Sequence, residues 1–229
     1  MDLPLFFWDS TMLLLVPALL FGVWAQWKIK STFKRYSKIP SNSGMTGYQV
    51  AKKLLERNNI FDVEVEEVKG SLTDHYDSKE KKVRLSELNF RSDSIASIGV
   101  AAHEVGHAIQ DNKQYAPLRW RHTFYPVARL GSKLWFWLFL AGMFLAIPAL
   151  IDVGIIFFAT TLVFQIVTLP VEFNASSRAL VQLSSGGFIS RDDSDGAKAV
   201  LNAAAMTYLA AAAMSLSQLV RLLILRQRN

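Results

Sequence analysis

Residues 100–110 read VAAHEVGHAIQ and contain the pattern H-E-x-x-H at His103, Glu104 and His107. Apolar residues recur around it at helical spacing, which predicts a helix that Ser92 or Ser94 caps and that ends near residue 111. Residues four apart on a helix lie about 40° apart around its axis, so both imidazoles face the same side. Glu104 lies beside that pair, where its carboxylate can take a proton from metal-bound water. The pattern predicts a zinc site with Glu104 as the general base.

The third zinc ligand must come from elsewhere in the chain, because catalytic zinc normally takes three protein ligands. The 229 residues include no cysteine, so only His, Asp and Glu can serve. The candidates are His75, His122 and the acidic residues, with Glu172 foremost. Glu172 follows an apolar stretch that would return the chain to the side of the membrane that holds His103. By its position alone, Glu172 fits an acid at a membrane interface equally well.

The apolar residues come in blocks, as in a membrane protein. Residues 11–27 contain no charged residue, and residues 134–171 contain a single acidic residue, Asp152. A crossing needs about 20 apolar residues, so the second block is long enough for two. The mean hydropathy of +0.21 agrees. We predict a mainly α integral membrane protein with three to four transmembrane helices and a small zincin-like α+β catalytic domain.

Basic residues flank these blocks and predict the orientation. The charged residues before the first block are both acidic, Asp2 and Asp9. Five basic residues follow it: Lys28, Lys30, Lys34, Arg35 and Lys38. The positive-inside rule then places the N-terminus outside and residues 28–133 in the cytoplasm. Because the basic residues flank spans instead of forming a stripe interleaved with aromatics, the net charge of +6 does not indicate a nucleic-acid surface.

Four segments follow from these patterns. They are an N-terminal membrane anchor (1–27), a cytoplasmic zincin-like domain with the HEVGH helix (28–133) and a transmembrane hairpin (134–171). The last segment (172–229) holds the third-ligand helix, a Ser/Gly/Asp-rich loop at residues 184–197 and a C-terminal membrane or interfacial helix. The first block lacks the basic start and cleavage site of a secretory signal, which indicates a retained anchor. The hairpin is predicted to turn at Asp152 and Gly154, and Pro170 to open a new helix.

The catalytic domain is predicted to contain further helices and strands. Thr46 or Ser43 can cap a helix that ends near residue 58, and residues 61–68 alternate as a half-buried strand does. A polar turn at residues 77–81 separates two short strands. An edge strand within residues 61–86 can bind a substrate in extended form. His75 and Tyr76, just before the turn, are candidate oxyanion donors, or simply residues satisfied within the turn.

Three sequence segments together resemble one family. HEVGHAIQ (103–110), LTDHYD (72–77) followed by RLSE, and LPVEFNAS (169–176) are similar to the bacterial putative neutral zinc metallopeptidases of the YugP type. A more distant similarity is to HtpX-like membrane zinc proteases. The resemblance covers most of the chain and implies one Zn²⁺ held by His103, His107 and Glu172, with Glu104 as the base.

Two positions depart from the pattern of these proteases. Asn174 stands where close relatives are expected to have Asp, and Ser176 stands where the HtpX-like proteins have Asp. Both residues are predicted to lie in the shell that orients the ligands.

The function predicted from these features is that of a membrane-embedded zinc endopeptidase in a bacterial plasma membrane. Its expected partners are the lipid bilayer and protein or peptide substrates at the membrane, with no nucleic acid. Two alternatives stay open: a catalytically degenerate scaffold with structural zinc, and a zinc hydrolase acting on a non-peptide amide.

Overall fold

The computed structural model describes residues 9–227, and its helices account for most of them. Asp2, which the predicted orientation uses, lies outside the described residues. A 3-10 helix, Ser10–Leu15, leads directly into the first α-helix. The α-helices are α1 (Val16–Tyr36), α2 (Gly47–Arg57), α3 (Glu87–Arg91), α4 (Ile95–Asn112), α5 (Ala116–Phe144), α6 (Pro148–Ser185) and α7 (Arg191–Gln227). The strands are β1 (Glu64–Val68), β2 (His75–Asp77) and β3 (Lys82–Ser86).

Three helical stretches within residues 9–227 are long and apolar enough to cross a membrane. They are Ser10–Tyr36, Pro148–Ser185 and Arg191–Gln227. These stretches confirm the predicted fold class of a mainly α membrane protein with a small sheet-containing domain. Residues 119–133 of α5 include four basic residues, which interrupt its apolar surface: Arg119, Arg121, Arg129 and Lys133.

The described residues fall into two compact units. One consists of the described parts of residues 1–26, 120–169 and 207–229, and it holds most of the apolar helical surface. Within it, glycines let α5 and α6 pack closely. A Cβ atom at Gly131 would lie 2.4 Å from the carbonyl oxygen of Phe157, and one at Gly154 would lie 2.8 Å from the backbone nitrogen of Phe139. Small residues at such contacts are a usual feature of helix packing in membranes.

The connection between α5 and α6 differs from the prediction. The chain turns at residues 145–147, and not at Asp152 and Gly154. Pro148 begins α6, where its missing N–H costs nothing, and Ala146 takes the left-handed conformation with φ of 51°. Asp152 therefore lies inside α6. The expectation that Pro170 opens a new helix is also wrong, since α6 continues through it to Ser185.

The second unit consists of residues 27–119 and 170–206. Its sheet has the order β1-β3-β2, with β1 parallel and β2 antiparallel to β3, so β1 and β2 are the edge strands. The core lies between this sheet, α2 and α4. Its fully buried side chains include Val50, Leu54, Val83, Leu85, Ile98 and Val105.

Capping residues fix the helix starts in this unit. Thr46 and Gln49 form a reciprocal capping box at α2, and Ser94 caps α4 through the Ser97 N–H, as predicted for residues 46 and 94. The short helix α3 was not predicted. The Ser/Gly/Asp-rich segment 184–197 was predicted to be a loop, but α7 already begins at Arg191.

Candidate metal centre

Helix α4 presents both histidines of the H-E-x-x-H pattern on one face. The ring centroids of His103 and His107 lie 4.8 Å apart, and the rings are nearly perpendicular. The His107 residue is buried, with 8 % of its surface exposed, and the His103 side chain retains 13 %. This placement follows from the spacing of four residues along a helix.

Glu172 on α6 meets this pair, although it lies sixty-five positions after His107. Its Oε2 atom is 3.2 Å from Nε2 of His103 and 3.5 Å from Nε2 of His107. Within residues 9–227 these three side chains form a group whose ligand atoms all lie within 4.8 Å of one another. Of the candidates for a third ligand, Glu172 is therefore the one found beside the histidines, and His75 and His122 do not belong to this group.

The spacing of these atoms suits zinc. Two ligands bound tetrahedrally at the zinc–nitrogen and zinc–oxygen distances of about 2.1 Å are separated by about 3.4 Å. The two measured separations, 3.2 and 3.5 Å, bracket that value. Two imidazoles and one carboxylate are also a donor set that catalytic zinc sites use. The residues present therefore fit a zinc ion.

Gly106 permits the close approach of α4 and α6 at this point. A Cβ atom at Gly106 would lie 2.7 Å from the carbonyl oxygen of Ala175, a distance that side chains do not tolerate. Ala175 itself is fully buried. The glycine inside the H-E-x-x-H segment thus serves helix packing, while its neighbours supply the ligands.

The second ring nitrogen of each histidine also has a partner. Nδ1 of His103 is 3.1 Å from the hydroxyl of Ser176, and Nδ1 of His107 is 3.0 Å from Oε1 of Gln110. Asn174 contacts Gln110 and not a histidine, because its Oδ1 accepts from Nε2 of Gln110 at 3.0 Å. Partners of this kind turn a histidine so that Nε2 faces a metal. Of the two predicted supporting residues, Ser176 contacts His103 directly, and Asn174 is connected to His107 through Gln110.

Glu104 is buried next to the three-residue group, with 7 % of its surface exposed. Burial, followed by the nearby carboxylates of Glu172 and Asp74, raises the pKa of its carboxyl to about 7, while a hydrogen bond from the backbone N–H of Tyr76 acts in the opposite direction. A carboxyl that exchanges its proton near neutral pH suits a general base.

The side chains of the two candidate oxyanion donors have other partners. The Tyr76 hydroxyl donates to Oδ2 of Asp111 at 2.8 Å. Nδ1 of His75 lies 2.8 Å from the carbonyl oxygen of Thr73, and His75 is exposed on the edge strand β2. Tyr76 contacts Glu104 through its backbone N–H.

Gln110 has no role in the sequence-based prediction, although the quoted HEVGHAIQ segment includes it. The available signal was its position three residues after His107, which places both on the same helical face. Ile109 and Ala108 beside it are ordinary core residues, so spacing alone could not distinguish a polar partner from a buried packing residue.

Comparisons with known proteins show the family of the chain. A sequence model of the family described as "Putative neutral zinc metallopeptidase" matches residues 11–227. The chain belongs to this family. It is also 48 % identical over 212 residues to the "Putative membrane protease YugP" of Bacillus subtilis (strain 168), covering 93 % of this chain and 94 % of the relative. The predicted resemblance is confirmed, and the family implies zinc as the metal. No solved structure gave a significant match.

Proposed function

We propose that the chain is a membrane-bound zinc endopeptidase in which His103, His107 and Glu172 hold one zinc ion and Glu104 is the general base. The observation that carries this proposal is the convergence of the three ligand atoms from α4 and α6 beside the buried Glu104 carboxyl. Membership of a zinc metallopeptidase family supports it.

In the proposed reaction, Glu104 takes a proton from the attacking water molecule and gives it to the nitrogen of the leaving amine. A bound zinc ion would lower the pKa of the water and polarise the scissile carbonyl. Ser176 and Gln110 hold the two imidazoles in place through Nδ1. Burial of Glu104 keeps bulk water away from its carboxylate.

The number of ligands favours catalysis over a structural role for the metal. Structural zinc sites are normally closed by four protein ligands, whereas catalytic sites keep one position for water or substrate. In the part of the chain that the structure describes, three candidate ligand residues converge. A scaffold with structural zinc would also have no need of a buried carboxyl at Glu104.

We further propose that substrates bind in extended form along the free edge of β2, which packs against α4. The backbone of an edge strand offers unpaired N–H and C=O groups to a peptide. His75 and Tyr76 on this strand remain the proposed oxyanion donors. The Tyr76 hydroxyl would have to exchange Asp111 for the oxyanion, whereas the ring of His75 is already exposed.

The proposed site of action is the cytoplasmic surface of a bacterial plasma membrane. Three apolar helices are long enough to tether the chain there, and the basic residues after the first one favour a cytoplasmic position for residues 28–133. Proteins and peptides near the membrane are then the natural substrates. The relative's name, a membrane protease, supports the setting.

The Glu104→Gln variant tests the proposal. Purified full-length protein should contain about one zinc ion per chain, as a single three-ligand site requires. Glu104→Gln should retain this zinc and lose cleavage of an unfolded test protein. Glu56→Gln, which changes an exposed glutamate on α2, is the matched control and should retain both.

Two other results would favour the alternative functions. A wild-type protein that holds zinc but cleaves neither proteins nor peptides would favour the scaffold. Cleavage of a small non-peptide amide alone would favour the other alternative. A proteomic comparison of membranes with wild-type and Glu104→Gln protein would then identify the substrates.

A further inference from the structure

The buried Gln110 amide connects His107 to helix α6. Gln110 is fully buried, and its Oε1 atom lies 3.0 Å from Nδ1 of His107. Its Nε2 atom donates to two oxygens, the Val171 carbonyl at 2.8 Å and Oδ1 of Asn174 at 3.0 Å. All three polar contacts of the amide are therefore made inside the protein.

The chemistry of these partners fixes the direction of each hydrogen bond. The Val171 carbonyl can only accept, so the nitrogen of the Gln110 amide must face it. The amide oxygen then faces His107, and an oxygen can only accept from Nδ1. His107 must consequently carry its proton on Nδ1. In the neutral imidazole, Nε2 then keeps its lone pair, and it lies 3.5 Å from Oε2 of Glu172.

Arg178 fixes the orientation of the Asn174 amide. Its Nε donates to Oδ1 of Asn174 at 2.7 Å, and a guanidinium can only donate. Asn174 thus presents its oxygen to Gln110 as well, and cannot turn its NH₂ group toward the Gln110 nitrogen. The guanidinium of Arg178 lies over the Tyr115 ring, 6.0 Å from its centroid, which restrains it.

His103 has no comparable restraint at its Nδ1. Its partner there is the hydroxyl of Ser176, which can donate or accept by rotating. A hydroxyl therefore accommodates either tautomer of His103, whereas the Gln110 amide accepts one tautomer of His107.

We propose that Gln110 is a positioning residue that locks His107 in its metal-binding tautomer, and that Asn174 and Arg178 lock Gln110. This inference rests on the proposed zinc site and deepens it. The orienting chain runs from Arg178 through Asn174 and Gln110 to His107, so α6 supplies both a ligand, Glu172, and the restraint on a ligand of α4. These hydrogen bonds orient His107 before zinc binds, so they raise the affinity for the metal.

Zinc affinity of the full-length protein, measured by competition with a chromogenic chelator, tests this role. Gln110→Met keeps the size of the side chain and removes its hydrogen bonds. It should weaken zinc binding by roughly 10–100-fold, the range observed when supporting partners of a metal ligand are lost. Gln182→Met is the matched control. Gln182 donates to Asn58 and lies ten residues beyond Glu172 on α6, so its loss should leave the affinity unchanged.

Thermal unfolding of the metal-free variants separates positioning from mere stability. If Gln110 served only packing, Gln110→Met would lower the unfolding temperature and bind zinc as tightly as wild type, which would overturn the proposal.

A second pair of variants covers the case in which Gln110→Met does not fold. Asn174→Asp keeps an acceptor for both Gln110 and Arg178, whereas Asn174→Leu removes it. Asn174→Asp should bind zinc at least about tenfold more tightly than Asn174→Leu. Equal affinities would contradict the orienting chain.

Failure of the zinc site itself gives a different result. If the wild type bound no zinc, or if His107→Ala bound it as tightly as the wild type, the proposed function would fall and this inference with it. Wild-type zinc binding that is lost in His107→Ala but unchanged in Gln110→Met would overturn the inference alone.

Discussion

At the scale of single residues, Ser176 is where this chain departs from the Asp of the HtpX-like proteins. Its hydroxyl lies 3.1 Å from Nδ1 of His103. A carboxylate at this position would accept a stronger, charge-assisted hydrogen bond and make the imidazole a better ligand. Ser176→Asp should therefore bind zinc more tightly than wild type, and Ser176→Ala about tenfold more weakly. Competition with a chelator measures both.

Ser177→Ala is the control for this pair, since Ser177 is the exposed neighbour of Ser176 on α6. It should bind zinc as the wild type does. Identical affinities of the Ser176 variants would show that His103 needs no support at Nδ1.

The residues of the centre were predictable from the sequence to different degrees. His103, Glu104 and His107 follow from spacing on one helix. The apolar blocks made Glu172 the foremost candidate for the third ligand. Choosing it over an acid at a membrane interface required the resemblance or the folded chain, because local spacing carries no information across sixty-five positions. The contacts of Tyr76 required coordinates, since the same strand could present its side chain or its backbone to α4.

At the scale of elements, the packing of α4 against α6 depends on Gly106. An added Cβ would meet the Ala175 carbonyl oxygen at 2.7 Å, so the two helices would have to separate. Gly106→Ala should lower the free energy of unfolding by about 1–3 kcal/mol, the usual cost of overpacking. It should also weaken zinc binding, because Glu172 would move away from the histidines.

Gly99→Ala is the matched control on the same helix. Its added Cβ would lie 3.8 Å from the Cβ of Ala197, an ordinary contact. Because alanine is the better helix former by about 1 kcal/mol, Gly99→Ala should be neutral or stabilising. Thermal unfolding in detergent and zinc titration compare the two variants. Equal behaviour would contradict the role given to Gly106.

The sheet contains an ion-pair network centred on Arg84 of β3. Its guanidinium contacts Glu66 on β1 at 2.6 Å, Asp77 on β2 at 3.0 Å, and Glu80 in the turn. Bonds from Lys82 and Arg84 lower the pKa of Glu66, and those from the Glu80 and Lys79 N–H groups and Arg84 lower the pKa of Asp77. Arg84 thereby ties the three strands together.

The pH dependence of stability follows from these lowered pKa values. Groups with lowered pKa values stabilise the fold above their ordinary pKa, about 4, and lose that contribution as the pH falls through the folded value. Arg84→Met should therefore unfold at a lower temperature than wild type at pH 7. The difference should shrink below about pH 4 and in high salt. A difference that is independent of pH would indicate lost packing instead.

Elements with a local signal were predicted well. The caps at Thr46 and Ser94 and the polar turn after β2 specify their own geometry. The turn at residues 145–147 was missed because Asp152 looked like a solvent-exposed acid, whereas it pairs with Arg226 from α7. That partner lies seventy-four positions away, beyond the reach of any local pattern.

At the scale of the whole molecule, two side-chain contacts bear on membrane topology, and both lie within the unit that includes residues 120–169 and 207–227. Arg226, near the end of α7, donates to Asp152 near the start of α6 at 2.6 and 3.1 Å. Arg221 donates to Thr11, near the start of the first apolar helix. These three helix ends therefore lie together. The sequence left open whether α7 crosses the membrane, since a crossing would export its arginines, but here both have polar or acidic partners.

We expect α5 and α6 to cross as the predicted hairpin and α7 to add a further crossing, so that the start of the first apolar helix and the end of α7 lie on the same side of the membrane. The absence of cysteine allows single cysteines to be introduced and labelled with a membrane-impermeant reagent. Leu145→Cys and Gln227→Cys should be labelled in intact cells, and Ser43→Cys only after permeabilisation. Labelling of Gln227→Cys only after permeabilisation would favour an interfacial helix. Labelling of Ser43→Cys in intact cells would reverse the orientation.

The most direct test of the zinc centre is the zinc content of Glu172→Gln, determined by elemental analysis beside wild type and Glu56→Gln. Glutamine keeps the shape of the side chain and removes the charge that the ion requires. We expect about one zinc ion per chain in wild type and in Glu56→Gln, as one three-ligand site implies, and almost none in Glu172→Gln after dialysis against a chelator. Full retention of zinc by Glu172→Gln would contradict a centre built by His103, His107 and Glu172.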